Sequence, residues 1–132
     1  MSDVVQLFKA LADETRLRIL NLLSRRELCV CQIEEILGIS QPKASRHLAY
    51  LRNAALVKDR REAFWIYYSL AEPEGRLHQR VLEWLREASA EIPQAAADLD
   101  ALEEVGECSV LCSDDALSES TKRCKGAVTV ES

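Results

Sequence analysis

The chain has 132 residues, enough for one compact domain and an appendage but not for two separate cores. Nearly half of it is apolar, yet no apolar run approaches the ~20 residues of a membrane span. The first twelve residues lack a basic start followed by an apolar stretch, so a cytoplasmic protein with no signal peptide and no membrane partner is expected.

The net charge of -5 hides an asymmetry. Residues 1–90 carry 14 Lys/Arg against 12 Asp/Glu, whereas residues 91–132 carry 3 against 10. Between Lys43 and Arg61 stand six basic side chains and one acidic one, so overall acidity does not exclude a nucleic-acid partner. Five cysteines cannot all pair within one chain, and in a reducing compartment they point to ligand or redox roles.

Val4, Leu7, Phe8 and Leu11 recur at helical spacing and predict a first amphipathic helix. Asp13 is placed to cap a second, Glu14 to Leu23. A short third helix is expected from about Val30 to Leu37, with Ile33, Ile36 and Leu37 facing inward and Gly38 as its left-handed cap. Ser40 and Pro42 open a fourth, whose inner stripe is Ala44, Leu48 and Leu51. Its second stripe, Lys43, Arg46, His47 and Tyr50, is polar or aromatic throughout. Strands are predicted at Leu56 to Lys58 and Phe64 to Ser69, with Arg60, Arg61, Glu62 and Ala63 as the hairpin tip.

Pro73 then starts a long helix, whose Leu77, Val81, Trp84, Leu85 and Ala88 form an apolar face too broad for one small domain to cover. After Pro93 an acidic helix (Ala95 to Glu104) and a loosely ordered tail rich in Ser, Asp and Cys are expected. The chain thus divides into residues 1–92, a DNA-binding and dimerisation domain, and residues 93–132, an acidic, cysteine-containing, partly disordered extension.

A helix, a tight turn, a polar-faced helix and a β-hairpin describe a winged helix-turn-helix, mainly α with a β-hairpin wing. Recognition needs hydrogen-bonding side chains on base edges and cations near phosphates of a double-stranded operator. Ser40, Gln41 and Lys43 at the fourth helix's start suit phosphate or base contact, and Arg46 suits guanine or phosphate. Ser45, His47 and Tyr50 complete that face, and Arg60 and Arg61 at the wing suit the adjacent backbone.

The runs Glu27-Leu-Cys-Val-Cys31, Ile39-Ser-Gln-Pro-Lys-Ala-Ser-Arg-His-Leu-Ala-Tyr-Leu51, Asp59-Arg-Arg-Glu62 and Trp65-Ile-Tyr-Tyr68 resemble the arsenic-responsive ArsR repressors of the ArsR/SmtB metalloregulators. Leu11-Ala-Asp-Glu-Thr-Arg-Leu-Arg-Ile-Leu20 is also similar to that family, and the likeness spans about residues 4–88. The resemblance implies a homodimer joined through the first and last helices of the domain. It also implies repression of an arsenic-resistance operon, relieved by As(III) or Sb(III). Many relatives supply a third cysteine shortly after the pair, where this chain has Gln32, Ile33, Glu34 and Glu35. Relatives usually have glycine where this chain has Ala55 and Ala63, which leaves the geometry of both turns open. The zinc set of other superfamily members is not expected, because the long helix offers only His78.

Thiolates select soft ions, and a helix start favours the thiolate at Cys29 and Cys31. Side chains at i and i+2 of an intact helix do not face each other, so one ion is expected to hold both sulfurs only if that first turn stays open or unwinds. Cys108 and Cys112, with Cys124 behind them, are candidates to complete that site or to form a separate one, and Cys124 is expected to be dispensable. A thiol-based redox-sensing repressor and a cysteine-bearing metallochaperone without DNA binding remain the alternatives. An oxidoreductase is disfavoured, since the pair is C-x-C rather than C-x-x-C and neither a phosphate loop nor a nucleophile–base pair is present.

Overall fold

In the computed structural model, residues 2–88 and 90–105 are described. Helix α1 (Ser2–Leu11) runs into α2 (Glu14–Leu23) through Asp13, whose extended backbone (φ -155°) lets its carboxylate accept the Arg16 N–H at 3.0 Å. Strand β1 (Leu28–Cys29) leads directly into α3 (Val30–Leu37), which ends on Gly38 at φ +68°. Ser40 caps α4 (Gln41–Asn53), with Pro42 in its first turn. The wing is β2 (Val57–Glu62) and β3 (Trp65–Leu70), followed by α5 (Arg76–Ala88) and α6 (Pro93–Glu104).

The apolar stripes converge on one core. Ile19, Leu20 and Leu22 of α2, Leu28, Ile33 of α3, Leu48 and Leu51 of α4, and Leu56 are fully buried. Each such side chain contributes about 1.5–3 kcal/mol over exposure.

Recognition helix α4 ends in a Schellman arrangement. The Ala55 N–H donates to Arg52 O and the Leu56 N–H to Leu51 O, both at 3.0 Å, while Leu51 and Leu56 bury against the core. That closure requires a left-handed residue at position 55, and Ala55 takes it at φ +64°. The wing turn does the same at Ala63, φ +56°. Both turns that the sequence left open therefore keep left-handed geometry, at roughly 1–2 kcal/mol of strain per alanine.

Three expectations need correction. The sheet has three strands in the order β1-β3-β2, all antiparallel, and β1 is absent from the sequence reading. The wing tip is Ala63–Phe64, so Arg60 and Arg61 lie within β2, paired with Tyr67 and Ile66. Alternation along the strand sends those two arginines to opposite faces. Pro73 does not start α5, which begins three residues later at Arg76.

Helix α6, which falls in the segment that the sequence assigns to the extension, packs on α2 and α3. Its Asp98, 3 % exposed, takes both Arg18 Nε (2.8 Å) and Nη2 (2.9 Å). Gln94 also donates to Asp98, at 2.9 Å, and Leu102 enters the core. Removing one partner of such a pair strands the other charge at a partly desolvated site. Asp98→Ala should therefore cost about 2–3 kcal/mol in urea unfolding, and limited proteolysis should then cut ahead of α6. An unchanged urea midpoint would show that α6 is only loosely laid on the domain.

Candidate nucleic-acid interface and thiol pair

Helix α4 carries its polar stripe on the side opposite the buried Ala44, Leu48 and Leu51. Lys43 and Arg46 are exposed, and among the described residues their side chains make no hydrogen bond or ion pair. Other members of the predicted face are engaged within the protein. Ser40 Oγ accepts the Lys43 N–H at 3.3 Å, and Gln41 Nε2 donates to Ser45 Oγ at 2.7 Å. These bonds fix the start of the helix and leave the two cations to point outward.

Arg16, which sequence reasoning missed, organises the middle of that face. Its guanidinium donates to the carbonyls of Ala10 (2.8 Å) and Lys9 (3.0 Å), capping the end of α1. It also lies over the Tyr50 ring, 4.1 Å from the centroid, and donates to His47 Nδ1 at 3.5 Å. One side chain thus ties the first helix to the recognition helix. No spacing signal marks it, because the contacts to His47 and Tyr50 span more than thirty residues.

On the wing, register puts Cys29 opposite Tyr67 and Tyr67 opposite Arg60, so three side chains from three strands form one row on one face. Arg60 stacks over the Tyr67 ring, 4.8 Å from its centroid. Its guanidinium also holds both Glu27 carboxylate oxygens at 2.8 Å and a further partner in Glu62. Those hydrogen bonds raise its pKa above the ordinary guanidinium value. Glu27 is a second residue that sequence reasoning missed.

Cys29 and Cys31 come together. Their sulfurs lie 3.1 Å apart, packed with Trp65 and Tyr67 of the wing strand. The expected obstacle at i, i+2 does not arise, because Cys29 is not inside the helix. It stands at the N-cap in extended backbone (φ -90°, ψ 168°), and its N–H is held by Gln32 Oε1 at 3.0 Å. The first turn of α3 is closed while the sulfurs converge.

Cys29 is 2 % exposed. Cys108, Cys112 and Cys124 lie outside the described residues. Among the described residues no three His, Cys, Asp or Glu side chains form a metal-holding group. His78, the remaining candidate of the long helix, is turned inward and accepts the Glu74 N–H at 3.1 Å. No helix among the described residues is long and apolar enough to cross a membrane.

A recognition helix with outward cations, a basic hairpin beside it and a helix-turn-helix core define a winged helix-turn-helix DNA-binding regulator. Residues 13–59 match the family model described as "Bacterial regulatory protein, arsR family". The chain is 49% identical over 79 residues to the arsenic resistance transcriptional regulator ArsR1 of Pseudomonas putida, covering 59% of this chain and 56% of that one. It is 56% identical over 68 residues to the arsenical resistance operon repressor of Escherichia coli, covering 51% and 58%. It thus spans little more than half the length of these two curated relatives. The homodimeric winged helix-turn-helix DNA-binding domain of Mb0332 from Mycobacterium bovis superposes with a TM-score of 0.58 at 33% identity, over 68% of this chain and 81% of that one. The chain belongs to the ArsR family of transcriptional regulators.

Burial, with the nearby charges of Arg16, Arg46 and Lys43, lowers the His47 pKa from its ordinary 6.5, while Asp13 works the other way. The unfolded state therefore takes up this proton first as pH falls, so the contribution of neutral His47 is present above about pH 6.5 and lost below it. Urea midpoints measured from pH 7.5 to 5 should fall more steeply for the wild type than for His47→Gln. Parallel curves would mean that this ring titrates as freely as in an unfolded chain.

Proposed function

We propose that this regulator represses an arsenic-resistance operon and leaves its operator when As(III) or Sb(III) is captured by the thiolates of Cys29 and Cys31. One observation carries the reading: the two sulfurs are 3.1 Å apart at the joint between the wing sheet and the helix that supports α4. Soft thiophilic ions suit such a donor pair. As(III) favours three sulfurs, and Cys108 or Cys112 is the proposed source of the third.

In this reading Lys43 and Arg46 make the main contacts to the operator, with Arg60 and Arg61 reaching the backbone beside it. Ser40, Gln41, Ser45, His47 and Tyr50 shape the same face. The regulator works as a homodimer through α1 and α5, consistent with the apolar surface exposed there. Phe8 is 50 % exposed, Leu77 44 % and Trp84 52 %. An apolar groove of about 450 Å³ lies between Leu11, Leu17, Trp84, Ala88 and Ile92. Leu85, counted with that face from sequence, belongs to the core of the single chain at 5 % exposure.

The 3.1 Å approach of the two sulfurs also suits a second reading, a redox-sensing repressor using the same thiols. Gel shifts on a duplex enriched from a random-sequence pool separate the two. Arsenite should release the reduced wild type, Cys29→Ser/Cys31→Ser should bind DNA but resist arsenite, and Arg46→Ala should lose about 1–3 kcal/mol of affinity. Release by peroxide but not by arsenite would replace the arsenic reading with the redox one. Duplex binding unchanged by Arg46→Ala would overturn the docking face.

A further inference from the structure

Arg60 is exposed, stands on a basic wing beside the recognition helix, and in the absence of DNA is held by two carboxylates. Glu27 presents both oxygens to Nε and Nη2 in the planar two-point geometry that a phosphate diester also offers a guanidinium. The Tyr67 ring fixes the plane of the guanidinium from one side. Nothing in the sheet register requires Glu27 for folding. It lies in the connection between α2 and β1, half-exposed, and reaches Arg60 across 33 residues of sequence.

We propose that Glu27 is a positioning residue that competes with a DNA phosphate for Arg60, so that each subunit exchanges the Glu27 ion pair for a backbone contact when it docks. The inference rests on the DNA-docking face proposed above. An exchange of this kind weakens binding, because the carboxylate pair is lost each time the phosphate pair forms. It also preserves the aim of Arg60, because the guanidinium waits in a fixed plane. Glu62 remains at the pair's other edge and can stay bonded throughout. Two residues after Glu27, Cys29 begins the row that ends at Arg60, so the carboxylate moves with the strand that carries the thiol.

The test uses the full chain, reduced, and the pool-enriched duplex described above. Glu27→Gln removes the competing charge and keeps the side-chain length. It should tighten duplex binding three- to tenfold and leave the log–log salt slope near its wild-type value, because Arg60 meets its phosphate in both proteins. Glu27→Asp should restore wild-type behaviour. In an Arg60→Ala background, Glu27→Gln should produce no gain.

Two results overturn the proposal: wild-type affinity for Glu27→Gln, or a gain that persists with Arg60→Ala, which would assign it to a general loss of negative charge. If Arg46→Ala still weakens binding about tenfold or more in the same series, the docking face survives and only the exchange fails. If the wild type retains no duplex at all, both fall together.

Discussion

The chain turns from strand to helix at Cys29, and the rest of the DNA-reading unit is arranged around that peptide. The backbone there is still extended, so the residue pairs with Tyr67 in the sheet, while its N–H is already held by Gln32 of the following helix. Were Cys29 one residue further on, inside α3, the two sulfurs would diverge around the helix. As it stands they converge with every turn of α3 intact. The thiols therefore touch two mechanical elements at once: the helix supporting α4, and the wing strand with Trp65 and Tyr67.

The recognition helix is fixed from its other side by different physics. Arg16 satisfies the last carbonyls of α1 and stacks on Tyr50, so the first helix and α4 share one cation. At the far end the Schellman closure commits Ala55 to a left-handed backbone. The fold accepts that strain because the alternative is to leave the last carbonyls of α4 unsatisfied and to pull Leu56 out of the core. Ala63 pays the same cost in the wing turn, which in turn decides that Arg60 is a strand residue.

Helices were readable wherever their ends are set by local chemistry. Asp13, Gly38 and Ser40 each act within four residues of their own position, and the bounds of α2, α3 and α4 follow from them. Strand β1 was not readable. It has two residues and exists only because β3, some forty positions later, offers it an edge. The same holds for Arg18 with Asp98 and for Glu27 with Arg60, ion pairs whose partners lie 80 and 33 residues apart. Periodicity found the apolar face of α5 but could not divide it between the chain's own core, which takes Leu85, and the outer surface, which keeps Trp84. At the candidate site, residue types and order were visible in sequence. The convergence of the sulfurs was not, because it depends on one residue's backbone angles.

The central claim is that the thiol pair acts through the wing sheet with α3 left whole. Amide hydrogen exchange on the reduced protein, with and without arsenite, addresses it peptide by peptide. The account predicts that residues 30–37 keep their protection on arsenite binding while amides of β1 and β3 change theirs. Loss of protection in the first turn of α3, with the wing unchanged, would contradict it.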